Sequence, residues 1–212
     1  MPRYTEERYC HNLNIVQLPT TGDYDIPIIA PEKWKQYDWI GFNYAKTCTN
    51  REQTGIHFFV DDYQFERMWQ YVSRYTKLLT QFGAIMSPDY SMFTDWPVSI
   101  QIYNHYRKHF WGAYLQFLGV TVYPTITWSD HSSYSWCFDG EPKNAVVCIS
   151  SVGTQLNTKT KELFLDGYFA MVDVLTPKTI VFHGDIPDEI KDRNNIIQIP
   201  TFREGVRRRT VC

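Results

Sequence analysis

Nothing in the 212-residue sequence approaches the roughly 20 consecutive apolar residues of a membrane span, and its start, MPRYTEERYC, has no apolar stretch of the secretory kind. The chain is therefore expected to be soluble, cytoplasmic and without membrane contact. It also lacks an excess of either charge: 21 Lys+Arg stand against 23 Asp+Glu, a formal net charge of -2. That balance excludes a general nucleic-acid coat or a polybasic membrane binder, both of which need a large positive excess. Cysteine is sparse and scattered: Cys10, Cys48, Cys137, Cys148 and Cys212 are odd in number and form no CxxC pair. Free thiols in a reducing compartment suit this pattern better than a disulfide framework or a zinc knuckle. There is no GxGxxG after a strand, no Walker loop, no HExxH, no GxSxG and no metal-ligand pair read at helical spacing. No internal repeat or Gly/Ser linker marks a second domain.

What the sequence does have is aromatic mass: 7 Trp, 15 Tyr and 13 Phe within a composition that is 43% hydrophobic. A chain of this length can bury a sizeable core without disulfide or metal staples. Seven β-rich runs fall at 39–43, 56–60, 84–87, 120–126, 145–150, 179–183 and 196–199. Between 63 and 82, Phe65, Met68, Trp69, Val72, Tyr75, Leu79 and Phe82 recur at three- and four-residue steps until Gly83, which predicts one amphipathic helix. A second helix is predicted over 98–118, opened by Asp95 and Pro97 and closed by Gly119, with Tyr103, Tyr106, Phe110, Tyr114 and Phe117 as its packing stripe. A third occupies about 160–175, before Pro177. Strands alternating with helices imply parallel pairing through crossovers. The expected fold is a single α/β domain with a mostly parallel, TIM-barrel-like sheet, closed or incomplete, over residues 39–200. Residues 1–38 are expected to be an extended arm and 201–212 a basic tail.

In such folds ligands bind beyond the carboxyl ends of the strands. Those ends read HFFVDDY, MSPDYS, TITWSD, ISSVG and VFHGD. Period-two alternation lines up Asp61, Asp89, Thr127, Ser150 and His183 on one rim. Carboxylates near an imidazole can move a proton, and several carboxylates can hold a divalent metal. Asp61, Asp62, Asp89, Ser150 and His183 are thus the catalytic candidates. Each has a plainer role beside the chemical one. One of Asp61 and Asp62 is expected to cap the following helix. Asp89 suits an Asx-turn, Ser150 a loop, and His183 a hydrogen-bonded place in the core. The aperiodic segment 127–144 carries Trp128, Asp130 and Trp136, either as a lid or contact surface or as a seal on the core. His105, Arg107, Lys108 and His109 form a basic patch expected to be a solvated helix face. Arg207 and Arg208, in the tail with Arg203 and Arg209, would grip phosphates or an acidic partner unless the tail simply frays.

The runs IHFFVDDYQFERMW, AIMSPDYSMFTDWPVSIQIYNHYRKHFWGAYLQFLGVTVYPTITW, AVVCISSVGT and TIVFHGD together resemble the domain-of-unknown-function family 4417, over about residues 25–185. The DD, SPDYS and PTITW segments carry most of the likeness. The resemblance implies a small intracellular protein of a phage, prophage or other mobile element, and implies no activity or catalytic residues. Two functions stay open on the residues alone. One is a hydrolase acting on a phosphoester or glycosidic substrate through the Asp/His rim. The other is a non-catalytic protein that engages or inhibits a host factor, and the partner class, whether small molecule, nucleic acid or host protein, is open with it.

Overall fold

Each of the seven β-rich runs forms a strand, and all seven pair in parallel. The computed structural model describes residues 11–199, so the first ten residues and the tail with Arg207 and Arg208 lie outside the described residues. A short antiparallel pair, β1 (Thr20–Thr21) and β2 (Ile26–Pro27), precedes β3 (Asp38–Gly41), β4 (Thr54–His57), β5 (Ala84–Met86), β6 (Val122–Tyr123), β7 (Val146–Ser150), β8 (Thr179–His183) and β9 (Ile196–Ile199). One sheet runs β3-β4-β5-β6 and the other β7-β8-β9. They are tied by a parallel bridge between Thr125 and Cys148, where Ile126 N donates to Cys148 O and Cys148 N to Pro124 O, each at 2.8 Å. Strands therefore follow one another in chain order, with α-helices joining β4 to β5, β5 to β6 and β7 to β8. The result is a single mixed α/β domain with parallel sheets.

Both faces of the inner strands β4, β5 and β8 are buried, as expected of parallel strands inside a sheet. Ile85 and Val122 face a core shared with the helices α1 (Arg67–Gln70), α2 (Val72–Leu79) and α3 (Val98–Phe117). Val147, Ile149, Ile180 and Phe182 face α4 (Thr158–Leu175). The alternate residues Ala84, Met86, Tyr123, Val146, Cys148 and Val181 meet on the opposite, inner face. The imidazoles of His57 and His183 approach to 4.9 Å between ring centroids, although three strands separate β4 from β8 in the order. The inner face is therefore strongly curved.

The helix predicted over 63–82 is interrupted. A 3-10 turn at Asp62–Gln64 leads into α1, and Tyr71 (φ -123°, ψ 50°) breaks the run before α2. The cause is a competing donor: Asn12 Nδ2 bonds the Trp69 carbonyl at 2.9 Å, the acceptor that a continuous helix would give to residue 73. The apolar stripe survives the break, since Phe65, Met68, Trp69, Val72, Tyr75, Leu79 and Phe82 are all buried. The second helix ends where expected, with Gly119 at φ +85°, Gly119 N bonding Gln116 O and Val120 N bonding Leu115 O. Phe117, placed in its stripe by spacing, is instead exposed. The third helix starts at Thr158 in a capping box between Asn157 and Thr160.

Trp128 lies across α4, its ring 5.5 Å from that of Phe164, directly over Gly167, where a Cβ would overlap the indole. Gly167→Ala should accordingly destabilise the fold by about 1–3 kcal/mol despite the better helix propensity of alanine. Urea unfolding followed by tryptophan fluorescence measures this, and a neutral or stabilising result would mean that Trp128 is not seated there.

Candidate functional site

Beyond the carboxyl ends of β4, β5 and β6 the rim loops are held together by carboxylates. Asp61 is exposed and caps nothing with its side chain. Asp62 reaches across to the next loop and accepts from Ser91 N (3.1 Å) and Ser91 Oγ (2.9 Å). Neither aspartate side chain caps the turn that follows, contrary to the expectation for one of the pair. Asp89 accepts from Thr127 Oγ1 at 3.0 Å, so it ties the end of β5 to the segment after β6. Desolvation pushes the Asp89 carboxyl up to about 7, against the Thr127 bond and the positive charge of Lys108, with the nearby Asp62 adding to the rise. Desolvation also raises Asp62, against its two bonds from Ser91. Asp89 nonetheless keeps some contact with solvent.

Ser150 and His183 sit side by side in the β7–β8 register, with Ser150 Oγ 3.2 Å from His183 Nδ1. Ser150 Oγ also accepts from Val152 N at 3.2 Å, which leaves its hydrogen for the imidazole. Phe59 stacks on His183 at 4.9 Å. His57 completes this inner-face group; burial, then the charge of His183, lowers its pKa to about 3. The rim candidates thus fall into two sets. Asp62 and Asp89 gather toward α3 and Lys108, while Ser150 and His183 gather on the inner face with His57.

The basic patch on α3 is not a solvated face. His105, Arg107, Lys108 and His109 are all buried, with Lys108 at 1% exposure and His109 at 0%. Ile102, Phe110, Trp111, Ala113 and Leu115 spread apolar residues around the same helix, so its buried side is wide enough to take in the basic residues as well. Arg107 is paired with Glu66 (2.5 Å) and Asn104 (2.6 Å) and lies 4.0 Å over the Tyr90 ring. Lys108 Nζ donates to Glu141 Oε1 at 2.7 Å, and His109 Nε2 is 2.9 Å from the same oxygen. His109 Nδ1 meets Pro27 O at 2.8 Å, and His105 Nε2 meets Asp139 O at 3.1 Å. Burial would raise Glu141, but the charges of Lys108 and His109 outweigh it and hold the carboxyl below its ordinary value. Donor atoms of His105, His109 and Glu141 all lie within 4.8 Å of one another, the metal-competent group found among the described residues.

The segment 127–144 is the wall of this cluster. Trp136, Cys137 and Phe138 are buried in the second core, so the Trp136 ring is spent on packing. Asp130 caps the 3-10 turn His131–Ser133 by accepting from Ser132 N at 2.9 Å. Glu141 and the carbonyl of Asp139 are the polar groups through which this segment meets the basic residues of α3. Sequence reasoning missed Glu141, and it passed over His105 and His109 although they stand four apart on one helix. The signal was the apolar residues around the whole circumference of 102–115, which leave a basic patch nowhere to go but inside.

Two outcomes test this arrangement. Lys108→Met strands the Glu141 carboxylate in the interior and should cost about 3–5 kcal/mol in urea unfolding, with part of the loss recovered when Glu141→Gln is added. Because the folded-state value of Asp89 lies above that of a free carboxyl, the native fold gains from the protonated form at acid pH and loses that gain as pH rises through about 7. Asp89→Asn should therefore match the parent near pH 3.5, below the ordinary carboxyl value, and melt a few degrees higher at pH 8, at about 2–4 °C per kcal/mol. Equal melting temperatures at both pH values would show that the carboxyl is not desolvated.

The comparisons with known proteins agree with one another. A family model described as a domain of unknown function (DUF4417) matches residues 18–202. The Gene 1 protein of Mycobacterium phage L5 is 32% identical over 186 residues, covering 86% of this chain and 81% of the relative. The Gene 1 protein of Mycobacterium phage D29 is 32% identical over 169 residues, covering 79% of this chain and 63% of the relative. No solved structure matches. Among the described residues no helix is long and apolar enough to cross a membrane. With the family model spanning both groups of rim residues and the α3 cluster between them, the chain belongs to the phage-associated DUF4417 family.

Proposed function

We propose that the protein is a hydrolytic enzyme working by acid–base catalysis at the carboxyl ends of its strands, on a phosphoester or glycosidic substrate. We read the curved, chain-order sheet as an incomplete (β/α) barrel, in which this rim is the place where ligands bind. The observation that carries the reading is Asp89: a desolvated carboxyl on a half-buried residue, held at the end of β5 by Thr127, with Lys108 and Asp62 beside it. A carboxyl that titrates near neutrality can give and take a proton at working pH, and the second carboxyl, Asp62, is fixed by Ser91 on the adjoining loop. Asp61, exposed beside it, would meet substrate rather than protein. Ser150, paired with His183, supplies a hydroxyl within reach of a base.

One observation favours a second reading, a binding protein that engages a host factor. Tyr63 and Phe93, on the loops that carry Asp62 and Asp89, are 77% and 57% exposed, and exposed aromatics suit the centre of an interface.

A panel of aryl phosphomonoesters, phosphodiesters and glycosides assayed between pH 5 and 8 decides between them. The enzymatic reading expects turnover with an inflection near pH 7, lost by about 100-fold or more in Asp89→Asn, with Ser150→Ala reporting whether the second group takes part. Absence of turnover by the parent chain across the panel, with or without divalent metal, would sink the enzymatic reading and leave the binding one.

A further inference from the structure

We propose that His105, His109 and Glu141 form a binding site for a divalent transition metal of the zinc class, set between α3 and the 127–144 segment. The proposal rests on the α3 cluster alone and stands whether or not Asp89 is catalytic. The hydrogen bonds to backbone fix which atom each imidazole offers. A carbonyl only accepts, so His109 Nδ1, facing Pro27 O, carries its hydrogen, and His105 Nε2, facing Asp139 O, carries its own. The remaining atoms are then His105 Nδ1, and His109 Nε2, which lies 2.9 Å from Glu141 Oε1 and whose proton toward that carboxylate a metal would displace. His105 Nδ1 is buried with no hydrogen-bond partner, and so is Glu141 Oε2.

An imidazole held from behind by a carbonyl is the outer-shell arrangement that orients a metal-ligating histidine. Spacing of four residues on α3 puts both rings on one face, with centroids 4.4 Å apart. Lys108 occupies Glu141 Oε1 and leaves Oε2 for the ion. Donors about 2.0–2.2 Å from a tetrahedral zinc ion stand about 3.3–3.6 Å apart, so a group in which one donor atom from each residue lies within 4.8 Å of the others has to close by at most about 1.5 Å. Two nitrogen donors and one oxygen select zinc, cobalt or nickel over magnesium or calcium. The Lys108 ammonium reinforces that selection, because it opposes weakly held, hard cations first.

The test uses the full chain stripped of metal by chelator dialysis and titrated with Co2+, then with Zn2+ as competitor. The expected result is one Co2+ per chain with visible d–d absorption, bleached by one equivalent of Zn2+, and a melting temperature raised by Zn2+. His105→Ala and Glu141→Gln should each weaken binding by about 100-fold or more and abolish the Zn2+-dependent rise in melting temperature. Should either variant fail to fold by circular dichroism, zinc-edge X-ray absorption of the parent chain takes its place, and two imidazole nitrogens with an oxygen in the first shell support the site. Absence of stoichiometric uptake, equal uptake by folded variants, or a first shell containing sulfur from Cys137 or Cys148 would overturn it.

Discussion

The side chain of Glu141 anchors a junction between segments that lie far apart in the sequence. A carboxylate removed from water costs several kcal/mol unless its charge is met, and here Lys108 and His109 of α3 meet it from one side. His109 in turn holds the carbonyl of Pro27. One buried anion therefore fastens three segments far apart in sequence: the N-terminal arm, the helix outside β5 and β6, and the loop that follows β6. Backbone bonds reinforce the same junction, with Ile29 N donating to Gly140 O and Ile29 seated on Gly112. Apolar burial alone would let these segments slide against one another, because it is non-directional. The charged pair fixes their register.

Positions of strands and helices were legible because their signals are local. β8 and β9 fall where the apolar runs place them, and β7 departs by a single residue. The glycine at 119 and the capping residues at 157 and 160 mark helix ends by chemistry confined to a few residues. The break at Tyr71 was not legible, because its cause is a side chain 57 residues before Trp69. The two sheets separate for a similar reason: the β6–β7 junction is a single bridge at Thr125, where Pro124 has no N–H to extend the ladder.

The candidate site was half legible. Parity correctly paired Ser150 with His183 and brought Thr127 to Asp89, since both depend on the two-residue repeat of neighbouring strands. It did not separate the residues that look toward α3 from those on the inner face, because loops beyond the strand ends turn freely and parity lapses within a residue or two. The burial of Lys108 was hidden because charge ordinarily marks a wet surface. Its partner lies in an aperiodic loop that no pattern singles out.

The order of the strands also sets an order of assembly. Every strand from β4 onward except β7 pairs with the one made just before it, and β7 is joined to the chain just before it by the bridge at Thr125, so the sheets can grow as the chain lengthens. The arm is different. Pro27 waits for His109, Lys33 and Lys35 wait for the Tyr123 hydroxyl, and the whole junction waits for Glu141. Until that residue arrives, the basic side chains of α3 have no anion to enter the interior with and stay hydrated. The N-terminal segment, first to be synthesised, is thereby among the last to be seated, and the growing domain carries a loose, unfinished edge for most of its synthesis.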